Sequence, residues 1–287
     1  MVKPGRVTIL DIPIDALTQS QVLERVSGFI AAGLPNQIAT VNPEFIMAAQ
    51  KNKEFRSTLQ QTAINVADGI GTRTAASFLR LQRPEWQPVK TIIALGQGLY
   101  IGVCQLFHLS VIKHPLPETI TGIDLLHRIC QEGQRTGWKI YLLGGKPGVA
   151  LEAANALTQK YPELHIVGAQ EGPPDPAVIP TSASSYSMKS IARDIAASKP
   201  DVLFVAFGAP KQDLFIHQYQ DELGVPVMMG VGGSFDFIVG RAHRSPVWLQ
   251  SIGLEWLWRL LVEPNRIGRI LTATVLFPWS VFRSILD

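Results

Sequence analysis

The chain has 287 residues, 46% of them hydrophobic and 17% charged, which suits one large or two small domains around a sizeable core and is apolar for a soluble protein. Its net charge of +3 is small, and no nucleic-acid partner is expected. Its two cysteines, Cys104 and Cys130, cannot build a disulfide framework and lie in no CxxC, so a reducing cytosol is the natural compartment; Met1 to Arg6 lacks an apolar h-region, so no secretory signal is expected.

Strand-like and helix-like segments alternate through the first 240 residues. Val7 to Leu10 predicts a strand, and Thr18 with Gln21 a capping box opening a helix to about Ala32. A strand from Gln37 ends in Thr40-Val41-Asn42-Pro43-Glu44, and helices follow across Pro43 to Gln60. Ala63 to Ala67 is an apolar run stopping at Asp68-Gly69, which predicts a buried strand ending in a sharp turn. Helices are expected over Gly71–Arg80 and Ile123–Arg135. Lys139 to Leu143 is a strand entering Gly144-Gly145-Lys146-Pro147-Gly148 and a helix to Lys160. Leu164 to Val167 is a strand, and Gln170 to Met188, rich in Pro, Ser and Gly, a long loop. Asp201 to Ala206 runs into Gly208-Ala209-Pro210-Lys211-Gln212-Asp213, and Pro226 to Met229 into Gly230-Val231-Gly232-Gly233-Ser234-Phe235-Asp236. This alternation predicts an α/β fold, a mainly parallel sheet with helices on both faces.

Two segments depart from the pattern. Thr91 to Ile112 is 22 residues without Asp, Glu, Lys or Arg, interrupted by Gly96, Gly98 and Gly102. Its length meets the rule for a membrane span, but a single span would put the halves of one domain on opposite sides of the membrane. A monotopic or re-entrant hairpin, or a membrane-dipping helix, is expected there, with a buried insertion as the alternative. Residues 241–287 hold six arginines against three acids, and four of the six tryptophans. Arginine with tryptophan on short helices points to an anionic membrane surface or a phosphate-bearing ligand. The expected organisation is a core over 1–240, with an apolar insertion at about 88–114, and a helical membrane-proximal appendage over 241–287.

The chemistry concentrates at strand ends. In an open α/β sheet ligands bind beyond the carboxyl ends of the strands. Asp68 is either a cap for the next helix or a catalytic group. The turn at Gly144 to Gly148 lets a backbone approach a ligand closely and presents a helix N-terminus to an anion; it is not a Walker A sequence. Lys211 can neutralise phosphate, and Gln212 and Asp213 can read hydroxyls or a base edge. There is no Asp-x-Asp triplet, HExxH, CxxC or Gly-x-Ser-x-Gly, so no metal and no cofactor is expected, and a reaction driven by one carboxylate is the economical enzyme hypothesis.

Taken in order, Thr40-Val41-Asn42-Pro43-Glu44, Ala67-Asp68-Gly69-Ile70-Gly71, Thr121-Gly122-Ile123-Asp124, Leu143 to Gly148, Gly208 to Gln212, Val231 to Phe237, and Gly253 to Arg259 with Glu263-Pro264-Asn265-Arg266 resemble the WecG/TagA/CpsF glycosyltransferases, from about residue 7 to 270. The resemblance implies a Rossmann-like core and an inverting, metal-independent transfer of N-acetylmannosamine or a related sugar. The donor would be a UDP-sugar and the acceptor a polyprenyl-diphosphate-linked sugar at the cytoplasmic membrane face, the enzyme being peripheral or monotopic. Products of such enzymes feed teichoic acid linkage units, enterobacterial common antigen or capsule, and members can self-associate. The resemblance makes Asp68 the base, with Thr40 and Asn42 beside the reacting sugar. Gly69, Gly144, Gly145, Lys146, Lys211, Gln212, Asp213, Gly233, Asp236 and Arg244 become substrate-binding candidates, and Arg259, Arg266 and Arg269 candidates for holding the diphosphate. Asp213 stands where Glu is usual, Ser245 where Ala is usual in an Arg-Ala-Pro motif, and Thr119 where Arg is common. Alternatives are another UDP-sugar enzyme, such as an epimerase, and a non-catalytic membrane adaptor.

Overall fold

The computed structural model describes residues 5–106, 114–172, 182–242, 245, 246, 249, 255–262 and 264–286. Eight strands are present among them: β1 (Arg6–Ile9), β2 (Ile12–Asp15), β3 (Asn36–Val41), β4 (Ile64–Ala67), β5 (Lys139–Gly144), β6 (His165–Gln170), β7 (Val202–Ala206) and β8 (Val227–Gly230). The last six form one sheet in the order β4-β3-β8-β7-β5-β6, and every neighbouring pair is parallel. The expected Rossmann-like α/β architecture is therefore the one observed.

The helices of the core are α1 (Gln19–Ala32), α2 (Pro43–Lys51), α3 (Lys53–Gln61), α4 (Ile70–Leu79), α5 (Gln87–Leu106), α6 (Gly122–Thr136), α7 (Val149–Lys160), α8 (Ser182–Ser198), α9 (Lys211–Leu223) and α10 (Ser234–Ile238). The capping box of Thr18 and Gln21 opens α1 as expected. The helical stretch after β3 is two helices. Asn52 ends α2, and its side chain accepts from the Phe55 N–H to start α3.

Strand alternation assigns the helices to faces. Ile38 of β3, Ile64 and Val66 of β4, and Val202 and Phe204 of β7 share a core with residues of α1, α6, α7 and α10. Ala39 and Val41, one residue out of phase, belong to a core with α2, α3 and α4. Leu203 and Val205 pack with α8 and α9. Both faces are thus covered, which is why these parallel strands are nearly continuous apolar runs.

Sequence reading missed β2. With β1 it forms an antiparallel hairpin, turned at Leu10 and Asp11 with φ of 47° and 65° and no glycine. Asp15 fixes the hairpin in place. Its carboxylate pairs with Arg6 at 2.6 Å and accepts the Asn65 N–H of edge strand β4 at 2.9 Å. The long loop expected over 170–188 is also corrected in part: α8 begins at Ser182, and 173–181 lie outside the described residues. Ser-rich sequence has weak helix preference, and α8 is held by burial of Ile191, Ala192 and Ile195.

The apolar segment forms α5, and 107–113 lie outside the described residues. Among the described residues no helix is long and apolar enough to cross a membrane. In the tail, α11 (Glu255–Val262) is followed by a 3-10 turn (Pro264–Arg266), α12 (Ile267–Leu271), a π turn (Thr272–Leu276) and α13 (Phe277–Arg283). Phe277 and Val281 of α13 are buried in the same core as α2 and α4, so this end of the chain packs on the sheet layer.

Candidate active site

The carboxyl ends of β4, β3, β8, β7 and β5 lie side by side, a row of roughly 19 Å at the usual strand spacing. The chain leaves β3 into α2 on one face and β8 into α10 on the other. Strands that leave to opposite faces open a crevice between them, where ligands bind in folds of this kind.

Thr40 lies at the β3 side of that crevice, and Asp68 follows β4, the next strand. Thr40 has the phase of Ile38, so its side chain faces the α6 layer, and it is buried. A Cβ on Gly122, the first residue of α6, would come within 3.2 Å of Thr40 Oγ1; glycine there lets the N-terminus of α6 approach the strand ends. The backbone reinforces this approach, since Ile120 N–H donates to Ala67 O at 2.8 Å. Thr121 caps α6, accepting from Asp124 N–H at 3.2 Å. Asp68 follows β4 directly, half-buried, and its N–H donates to Val41 O at 3.0 Å. Continued alternation puts it in phase with Val66, on the α6 side. The helix after it is capped by Gly69, at φ 81° and without a side-chain cap bond, so Asp68 is not the N-cap of α4.

Asn42 does cap a helix. Its Oδ1 accepts from Phe45 N–H at 3.0 Å to start α2. Glu44 in the same turn pairs with Arg269 of α12 at 2.6 Å. An exposed pair of this kind contributes only ~0.2–1 kcal/mol. Its consequence is geometric: it fixes one tail arginine to the rim of the β3 exit. Arg266 is half-buried just before it. Arg259 lies in α11, and Arg244 falls outside the described residues.

The other exits are built on glycine. Gly144 has φ 104°, and a Cβ there would sit 2.9 Å from Ala206 O. Gly145, at φ 83°, donates its N–H to Ala206 O at 3.0 Å. Lys146 is exposed and Lys211, opening α9, is half-buried. Gly233 precedes α10; Asp236 lies in the first turn of α10, its Oδ1 buried without a partner among the described residues.

Gln212 and Asp213 are buried beneath these loops instead of facing the crevice. Gln212 Oε1 accepts two backbone N–H groups, Gly208 at 3.1 Å and Gly232 at 2.9 Å. One amide thereby holds the β7 and β8 exits together, and its side chain lies so close over Gly230 that a Cβ there would clash. No sequence signal for this bond exists, because its partners are backbone groups. Glu171 was likewise missed: it accepts the Gly148 N–H at 2.6 Å, at the N-terminus of α7.

Asp213 is fully buried, and neither carboxylate oxygen has a hydrogen-bond partner among the described residues. Burial pushes its carboxyl up to about 7, against the opposing pull of the nearby Gln212 and Gln37 amides. Between its unperturbed value of 3.8 and about 7, the folded protein holds a proton that the unfolded chain has released. Stability contributed by Asp213 therefore falls as pH rises through that window and levels off above it. Thermal unfolding of Asp213→Asn should show this as a flatter pH dependence than the wild type, with a gain of a few kcal/mol by ~pH 8; parallel profiles would contradict it.

A recess of ≈ 330 Å³ lined by Pro200, Gly224 and Pro226 lies at the amino ends of β7 and β8. No strand exit reaches it, and it is remote from these groups.

A doubly wound parallel sheet with glycine-rich strand exits defines an α/β protein of the class that binds its ligands beyond the carboxyl ends of the strands. The chain belongs to the WecG/TagA/CpsF glycosyl transferase family, whose model matches residues 7–96 and 89–287. Similar proteins from Staphylococcus aureus strains NCTC 8325 / PS 47 and MRSA252 are named N-acetylglucosaminyldiphosphoundecaprenol N-acetyl-beta-D-mannosaminyltransferase. Each is 28% identical over 268 residues, covering 93% of this chain and 88% of the relative.

Proposed function

We propose that this glycosyltransferase moves an N-acetylmannosamine-type sugar from a UDP donor to a sugar carried on a polyprenyl diphosphate, with inversion and without a metal. The observation that supports the reading is that Thr40, Asn42 and Asp68 lie on the adjacent exits of β3 and β4, with Thr40 close to Gly122 at the start of α6, within a fold of this family. Family relatives named for a diphosphoundecaprenol-linked acceptor support the acceptor class.

In this reading Asp68 takes the proton from the acceptor hydroxyl as that oxygen attacks the anomeric carbon. Thr40 and Asn42 position the reacting sugar. The bond to the leaving UDP breaks on the opposite side, and its diphosphate gathers negative charge. The N-terminus of α6, the glycine exits at Gly144, Gly208 and Gly233, Lys146, Lys211 and the tail arginines supply positive potential for that charge. The acceptor places the enzyme at the cytoplasmic membrane face as a peripheral protein.

Purified protein with UDP-sugar donors and a defined N-acetylglucosaminyl-diphosphate lipid tests this. UDP release should require both substrates and survive a chelator. Turnover of donor alone would instead indicate an epimerase, and no release with any acceptor a non-catalytic adaptor.

A further inference from the structure

Large exposed apolar side chains are concentrated on this molecule. Among the described residues, all of them except Leu34 and Leu151 fall within 86–100 or within the tail from Trp256 to Trp279. The inserted helix α5 has two apolar faces. Ala94 and Ile101 on one face are buried in the core that also holds Phe277 and Val281 of α13. Ile92, Leu95 and Leu99 on the other face are 70%, 57% and 72% exposed. Their i, i+3, i+7 spacing makes a single stripe opposite the buried face. On a helix that meets only water that stripe would be charged or polar. In α5 the only charged residue is Lys90, and there is no acid.

The two apolar segments adjoin. Gln87 Nε2 at the start of α5 donates to Leu286 O at 3.0 Å, just beyond α13. The charge carried by the two segments is mainly positive: Lys90 on α5, and six arginines against three acids in the sequence of 241–287. Apolar side chains accompanied by cations and few acids match an anionic bilayer surface, where the apolar groups enter the acyl boundary and the cations meet lipid phosphates.

We propose that the Ile92–Leu95–Leu99 face of α5 seats in the anionic cytoplasmic leaflet as a second membrane contact beside the tail. The helix lies along the surface, and the enzyme is held by two elements distant in sequence. This rests on the reading that the acceptor is lipid-linked, which puts the substrate in the same bilayer.

Flotation of the full-length protein with vesicles of phosphatidylglycerol and phosphatidylethanolamine tests it. The double variant Leu95→Glu/Leu99→Glu should lose vesicle binding by about tenfold or more. It should keep transfer to a water-soluble, short-chain acceptor. Leu95→Phe/Leu99→Phe, which preserves apolar area, should bind as the wild type does. Should the glutamate pair fail to fold by circular dichroism, Leu95→Ser/Leu99→Ser decides in its place. Undiminished flotation overturns the proposal. So does a change in sedimentation from oligomer to monomer with flotation intact, which would mean that a second copy of the chain covers the face. Failure of the wild type to transfer to any acceptor would remove the functional reading, while vesicle binding would still report on α5.

Discussion

Asp68→Asn should lower sugar transfer by about 10²–10⁴-fold, the usual contribution of a positioned general base, while UDP-sugar binding measured by calorimetry stays within about twofold. The substitution is nearly isosteric. The Asp68 N–H bond to Val41 O is a backbone interaction that survives it, and the α4 N-cap is the neighbouring Gly69. A structural role for the carboxylate would instead appear as a loss of thermal stability in proportion to the loss of activity. Transfer within a few-fold of wild type in a folded variant would remove Asp68 from the chemistry and leave the crevice without its only proposed base.

The second large effect is expected at Gln212, which does not line the crevice. Gln212→Leu keeps the side-chain volume and removes the acceptor shared by the Gly208 and Gly232 N–H groups. A donor left without a partner in a buried setting costs about 1–3 kcal/mol. A stability loss on the order of 2–4 kcal/mol is therefore expected, because the loops can relax toward water. The functional signature should be a donor KM raised more than kcat is lowered, since the two loops released are those proposed to hold the donor diphosphate. Gln212→Glu keeps an acceptor for both amides and should recover part of the donor affinity. Equal falls in kcat and kcat/KM, with KM unchanged, would contradict the strut role.

Much of this architecture is legible in sequence because each parallel strand carries its own punctuation. Apolar runs ending at Asp68-Gly69, Gly144-Gly145, Gly208 and Gly232-Gly233 mark strand exits, and all of these exits lie on one edge of the sheet. Thr40, Asn42 and Asp68 could be singled out for the same reason. What was hidden depends on distance or on backbone partners. The pair between Glu44 and Arg269 joins residues from opposite ends of the chain. Gln212 reads locally as a side chain that contacts a ligand, because nothing in the sequence reveals that two glycine amides occupy its oxygen. The turn at Leu10 and Asp11 escaped notice because both adopt positive φ without a glycine to signal it, and α8 because tertiary burial overrides a weak local preference.

The strand order carries a consequence for how the protein comes into being. β3 pairs with β8, Asn36 opposite Val227, so the crevice joins the first strand of an early parallel pair, β3 with β4, to the last strand among the described residues. An emerging chain can form β3 with β4 at once, yet it must leave the inner edge of β3 unsatisfied until β8 arrives. Such distant pairing slows folding and prolongs the exposure of an apolar strand edge. Truncation before β8 should therefore yield an aggregation-prone chain rather than a smaller enzyme, because the crevice beside β3 opens only once β8 has docked.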